Sequence, residues 1–153
     1  MSVAFRRESD EEHLEPKFEL PIPPGPNLVT ARGLGLIEAR VVELEAKLAE
    51  ALSEEERKAV LRDARYWRNR QASAQLAPPA SGERVAVGTW VTYERDGQQR
   101  TVQIVGHDES EPAVRRVAFT APLVRAMLGA EIDDEVELAD GTALTIIAIA
   151  VPA

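Results

Sequence analysis

The sequence contains no cysteine, which excludes disulfide staples, thiolate zinc sites and a cysteine nucleophile. Only two histidines are present, so neither an all-histidine metal site nor a Ser-His-Asp triad is expected. No apolar run reaches the ~18 residues of a membrane-spanning helix. The N-terminus carries charges where a secretory signal would place its apolar core, so a cytoplasmic chain without a membrane segment is expected. Lysine and arginine, 18 together, are outnumbered by 26 aspartates and glutamates, giving a net charge of -8. A protein that neutralises phosphates must carry the opposite balance, so unaided binding to a DNA backbone is disfavoured and any nucleic-acid contact is expected to be indirect, through a partner. With 153 residues there is room for one or two small domains.

What is present begins with a heptad-like pattern. Leu34, Ile37, Val41, Leu44, Leu48 and Ala51 alternate spacings of three and four, as do Val60, Ala64, Trp67, Gln71 and Ala74, with Leu61 broadening the second stripe. Thr30 is a plausible cap for the first helix, weakened in its first turns by Gly33 and Gly35. Ser53 and Glu56 have the spacing of a capping box that starts the second helix. The pattern predicts an antiparallel helical hairpin with an acidic tip, its first helix running from Ala31 to Leu52 over about 33 Å. The outer faces differ in charge. Glu38, Glu43, Glu45 and Glu50 dominate the first helix, and Arg57, Lys58, Arg62, Arg65, Arg68 and Arg70 the second. Two readings stay open for that asymmetry: ion pairing within the hairpin, or a basic stripe of Arg62, Arg65 and Arg68 facing RNA or an acidic protein surface. Tyr66 and Trp67 should point apart, Trp67 into the seam and Tyr66 toward the base of the arm or the second domain.

Residues 1–27 hold a basic pair at Arg6 and Arg7, an acidic run from Glu8 to Glu12, and Pro16, Pro21, Pro23, Pro24 and Pro26. Such a segment reads as a largely disordered leader, although Phe5, Phe18, Leu20 and Ile22 are apolar enough for part of it to dock. Residues 28–76 are assigned to the hairpin and 77–82, rich in proline, to a short stiff linker. A second domain follows from residue 83, and from Val85 the period changes from helical to two. An Asp96-Gly97 turn pairs Val91 with Val102 and Tyr93 with Arg100. Arg116–Phe119 reads as a strand and Pro122–Leu128 as a short helix, Pro near its start and Gly129 just past its end. A three-residue loop, Ala139-Asp140-Gly141, pairs Val136 with Leu144 and Asp134 with Ile146. Alternating Leu144, Ile146, Ala148 and Thr145, Ile147, Ile149 suggest a strand covered on both faces. The fold class is α+β.

Four stretches occur in the order and spacing of a known domain: Val87-Gly88-Thr89-Trp90-Val91, Gln103-Ile104-Val105-Gly106-His107-Asp108-Glu109, Ala121-Pro122-Leu123-Val124-Arg125-Ala126-Met127-Leu128-Gly129, and Ile132-Asp133-Asp134-Glu135-Val136. The C-terminal region thereby resembles that of the GreA/GreB transcript cleavage factors. The resemblance implies an FKBP-like sheet with one short helix at residues 83–153, following an antiparallel coiled coil. It implies a monomer that binds RNA polymerase near its secondary channel, with contacts from Asp108, Glu109, Pro122, Leu123, Arg125 and Met127. It also implies that the coiled coil enters the channel, where tip carboxylates help position magnesium for hydrolysis of backtracked RNA. Glu54 and Glu55, with Glu50 or Glu56 beside them, are the candidate catalytic carboxylates; no cofactor is expected on the chain alone, and magnesium would be shared with the polymerase active site. The tip departs from the family pattern. The family has an Asp, a Ser-Glu-Asn and an Ala-Glu-Tyr in succession, whereas only Ser53-Glu54-Glu55-Glu56 stands here, on a shorter arm. Two outcomes follow, cleavage stimulation or occupation of the channel without cleavage. In either case the chain is an accessory factor rather than an enzyme. Glutamates in a first helical turn also suit the helix dipole whatever the function. A coiled-coil adaptor unrelated to polymerase is the alternative; a prolyl isomerase is disfavoured because only Trp90, Tyr93 and Phe119 could line a proline pocket.

Overall fold

The computed structural model describes residues 19–152. Most of the expected leader, including Phe5, the Arg6-Arg7 pair, the run Glu8 to Glu12 and Phe18, lies outside the described residues. Two compact units divide the chain, one holding Ile37–Ser73 with the leader up to Gly25, the other Pro26–Leu36 with the chain from Ala74 onward. This differs from a division at the 77–82 linker. The reason lies in the ends of the hairpin: Asn27–Val29 (β1) and Ala74–Leu76 (β2) are strands, not helix. They pair in parallel, Asn27 with Ala74 through Val29 with Leu76, and the Ala77 amide continues the ladder to the Val29 carbonyl at 2.9 Å.

Helices α1 (Ala31–Leu48) and α2 (Glu54–Ser73) form the arm. Ile37, Val41 and Leu44 are buried on α1 and Ala64 on α2, while Val60, Leu61 and Trp67 are half-buried. The seam is therefore as the three-four spacing predicts through Trp67. It fails beyond, since Gln71 is exposed and Ala74 has left the helix. Helix α1 also stops four residues before Leu52. Its last turn tightens through Ala49 N–H to Ala46 O and Glu50 N–H to Lys47 O, and Arg57 donates to the Leu48 carbonyl at 3.2 Å. An 18-residue α1 is about 27 Å long rather than 33 Å, and Ala51 falls in the turn, exposed. The rings of Tyr66 and Trp67 meet edge to face at 5.1 Å, so Tyr66 has a partner within the arm.

In the other unit, β3 (Trp90–Arg95), β4 (Gln98–Val105), β5 (Arg116–Ala118), β6 (Glu135–Glu137) and β7 (Ala143–Ala150) make one sheet in the order β5-β4-β3-β7-β6. Asp96 and Gly97 both take positive φ, as a primed two-residue turn requires, and Val91 pairs with Val102 and Tyr93 with Arg100. Val136 pairs with Leu144 around the three-residue loop, with Gly141 left-handed at φ 86°. Helix α3 (Pro122–Met127) lays Val124 and Met127 into a core of Val91, Tyr93, Ile104, Phe119, Leu144 and Ile146.

Strand β7 corrects the expectation of two covered faces. Thr92 pairs with Ala148 but Tyr93 with Ile146, leaving an extra residue, Ile147, at a bulge. The bulge shifts the phase: Leu144 and Ile146 face the core before it, and Ile149, paired with Val91, packs on the core after it, whereas Ala148 and Ala150 are exposed. Apolar residues at both parities are here the sequence trace of a bulge.

Candidate interaction site

The family-like stretches divide into residues that build the fold and residues that remain on its surface. Gly88 sits at φ 99° and turns the chain into β3; its amide reaches the Ile104 carbonyl. Thr89, wholly buried, donates its hydroxyl to the Ala86 carbonyl at 2.7 Å. Gly129, at φ 87°, ends α3 and bonds to the Val85 carbonyl at 2.8 Å. Asp133 takes φ 76°, and the Asp134 carboxylate accepts from the Glu131 amide at 2.8 Å, so this acidic pair shapes the turn into β6.

Glu109 was expected to contact a partner, but it is only 3% exposed and is already engaged. One carboxylate oxygen accepts the amides of Thr30 and Gly106, each at 3.1 Å, and the other accepts the Thr30 hydroxyl at 2.6 Å. Thr30 Oγ1 in turn accepts the Gly33 amide at 3.0 Å, the cap expected for α1. Arg32 completes the cluster, 3.7 Å from Glu109 and 3.7 Å from Glu111. Neither neighbouring glycine is incidental: a Cβ on Gly33 would lie 2.1 Å from Glu109 Oε2, and one on Gly106 would lie 2.6 Å from the Leu28 carbonyl oxygen. The start of α1 is thus clasped to the loop after β4 by one carboxylate. Met127 is likewise no surface contact, being fully buried under the sheet. Pro122 and Arg125 are exposed, and Leu123 and Asp108 half-buried, on the α3 side and the turn after β4 respectively. Two exposed apolar side chains, Leu128 at 37% and Ile132 at 47%, follow α3 and were absent from the sequence-based set.

At the tip, Ser53 and Glu56 form the expected box: the Glu56 amide donates to Ser53 Oγ at 3.1 Å and the Ser53 amide to Glu56 Oε1 at 3.0 Å. The backbone bond from Ser53, and then its hydroxyl, hold the Glu56 carboxyl below the usual glutamate range. Glu56 is thereby committed to the cap. Glu54 and Glu55 are exposed and have no ion pair among the described residues, and Glu50 is exposed in the turn. Among the described residues no three His, Asp or Glu side chains converge to hold a metal. The expected basic stripe is drawn into ion pairs. Arg62 meets Asp63 at 2.9 Å, Arg68 meets Glu45 across the hairpin at 3.3 Å, and Arg65 forms a two-pronged pair with Glu19 of the leader. That last pair lowers the Glu19 pKa and raises that of Arg65, chiefly through the hydrogen bonds themselves.

Residues 80–150 match the family model "Transcription elongation factor, GreA/GreB, C-term". These residues are similar to the C-terminal domain of the GreA/GreB factors. Among relatives, GreB of Pseudomonas aeruginosa is 44% identical over 59 residues, covering 38% of this chain and 35% of its own length. GreA of Maricaulis maris is 33% identical over 106 residues, 68% of this chain and 54% of the relative. The chain therefore spans about a third to a half of the curated relatives it matches. Among solved structures, Gfh1 of Thermus thermophilus aligns over 82% of this chain and 99% of its own, at 16% identity and a TM-score of 0.39. No helix among the described residues is long and apolar enough to cross a membrane.

Proposed function

We propose that the protein is a transcription elongation regulator that binds RNA polymerase through its GreA/GreB-type domain and presents the helical arm to the secondary channel, acting as an accessory factor and not as an enzyme. The observation that carries this reading is the family match over residues 80–150. The surface left after fold-building residues are set aside supplies a candidate contact: Pro122, Leu123 and Arg125, extended by exposed Leu128 and Ile132. Contact with nucleic acid would then come through the polymerase.

Between the two outcomes of arm insertion, the tip favours occupation without efficient cleavage. Glu56 is held by the cap, α1 ends at Leu48, and Glu54 and Glu55 are the carboxylates left to approach a magnesium ion held by the polymerase. Competition between the full chain and GreA for core polymerase tests binding; no binding at concentrations where GreA saturates would overturn the proposal. Transcript shortening in a stalled complex then separates the outcomes. Little or no shortening is expected, and robust shortening that disappears on Glu54→Gln with Glu55→Gln, binding intact, would assign cleavage to the tip.

A further inference from the structure

Strand β4 is longer than the neighbour on its outer edge. Its residues run from Gln98 to Val105, but β5 pairs only with Gln103, Ile104 and Val105. The ladder stops at Arg115, whose carbonyl still takes the Gln103 amide at 2.8 Å and whose left-handed backbone, φ 66°, turns the chain out of the strand direction. Residues 98–102 are therefore bonded on one side only. The two-residue Asp96-Gly97 turn decides which groups are left over. It makes Arg95 with Gln98, Tyr93 with Arg100 and Val91 with Val102 the hydrogen-bonded pairs of the β3–β4 ladder, so the amides and carbonyls of Gln99 and Thr101 point the other way, to the open edge. The Gln103 amide, two residues on, has the same parity and does point outward, to Arg115. Two donors and two acceptors thus stand unpaired among the described residues.

A groove of about 560 Å³ opens beside these groups, lined by Gln99, Arg100 and Thr101 from β4 and by Pro112, Arg115 and Val117 from the segment entering β5. No aspartate or glutamate lines it among the described residues, and Glu94, opposite Gln99, stands on β3, away from the open edge. Arg100 and Arg115 are exposed, and neither has a carboxylate partner among the described residues, unlike Arg95 and Arg116 in the same sheet, which meet Asp140 and Glu111. Tyr93 also lines the groove; it is 5% exposed, and its hydroxyl has no hydrogen-bond partner among the described residues. In a chain of net charge -8, a carboxylate arriving here meets donors without displacing another carboxylate. We propose that the open edge of β4 accepts an extended acidic segment of a partner protein as an added strand, its main chain pairing with Gln99 and Thr101 and its carboxylates meeting Arg100 and Arg115. The presence of free carbonyls beside free amides selects a peptide over an RNA strand, because phosphates would bond the amides and leave the carbonyls unpaired. Pairing with a second copy about Arg100 would set arginine against arginine.

The experiment titrates the full, isotope-enriched chain with a capped hexapeptide of alternating valine and glutamate and follows the backbone amides. The Gln99 and Thr101 amides should shift and exchange with solvent several-fold more slowly, while those of Gln98 and Arg100, bonded inward to β3, keep their exchange rates. Lysine in place of glutamate in the peptide, or methylation of its backbone nitrogens, should abolish the protection. Arg100→Gln with Arg115→Gln should weaken binding several-fold; both side chains are exposed, and unchanged amide signals elsewhere verify the fold. No protection of Gln99 and Thr101 at any peptide concentration, equal protection by the lysine peptide, or binding that survives methylation would overturn the proposal. So would protection by oligouridylate but not by the acidic peptide, which would assign the groove to RNA, or protection that rises with protein concentration alone, which would assign the edge to a second copy. None of these readouts involves polymerase, so failure here is distinct from failure to bind polymerase.

Discussion

Replacing Gly33 by alanine sets two effects of opposite sign against each other. In an ordinary helix the change stabilises by up to ~1 kcal/mol. Here the new Cβ would stand 2.1 Å from Glu109 Oε2 and 2.2 Å from its carboxyl carbon, a separation that only displacement of the Glu109 side chain can relieve. Displacement abandons the bonds from the Thr30 amide, the Thr30 hydroxyl and the Gly106 amide. A buried donor left unpaired costs ~1–3 kcal/mol; with two amides affected and some relaxation, a net loss of roughly 2–4 kcal/mol is expected after the helix gain is subtracted. Urea melts of the four chains in a Gly33→Ala and Glu109→Ala cycle measure this, with amide exchange at Gly106 as the local probe. With Glu109 already truncated, Gly33→Ala should be neutral or stabilising by up to ~1 kcal/mol. A stabilising Gly33→Ala in the otherwise native chain would refute the clasp.

Trp67→Ala should destabilise the arm by roughly 1.5–3 kcal/mol, less than the ~3–5 of a fully buried tryptophan, because Trp67 is half-buried; a change within ~0.5 kcal/mol in denaturant melts would remove it from the seam. Thr89→Val should cost ~1–3 kcal/mol by leaving the Ala86 amide without its hydroxyl acceptor, the Ala86 carbonyl keeping the Thr89 amide as donor, again read by urea denaturation. Glu56 has a lowered folded-state pKa, so the stability it contributes is full above the ordinary glutamate value of ~4.3 and is lost as pH falls through the lower folded value. Amide exchange at Ser53 should therefore accelerate relative to neighbouring residues below about pH 4, and Glu56→Gln should abolish that extra pH dependence.

Legibility followed the range of the interactions. Patterns set by neighbouring residues were readable: the three-four spacing through Trp67, the Ser53 and Glu56 box, and both hairpin registers. Helix ends were not, because Asn27–Val29 and Ala74–Leu76 each look like the fringe of a helix and become strands only by meeting each other, some 47 residues apart in the chain. The parity change in β7 was visible as apolar residues on both phases, yet nothing local distinguishes a bulge from a strand covered twice; the pairing with Thr92 and Tyr93 decides it. Gly33 carried a signal that propensity alone misreads. A glycine in the first turn of a helix weakens that helix, and its presence there is explained by the backbone approach that Glu109 requires.

The same distinction governs what the GreA/GreB match can say about the arm. A motif such as Gly106-His107-Asp108-Glu109 looks like surface chemistry in sequence, but two of its members, Gly106 and Glu109, are consumed in holding the start of α1. The contacts of Glu109 reach beyond the matched residues 80–150, since its partner Thr30 stands at the start of α1. Ser53 and Glu56 satisfy each other, and the ion pairs of Arg62, Arg65 and Arg68 are all met inside this chain. A capping box accounts for Ser53 and Glu56 without any catalytic demand, whereas nothing in the fold requires carboxylates at both Glu54 and Glu55 beyond their favourable place at a helix N-terminus. Replacing Glu54 and Glu55 should consequently leave intact the structure of the tip, which makes them the positions at which the proposed role of the arm can be tested.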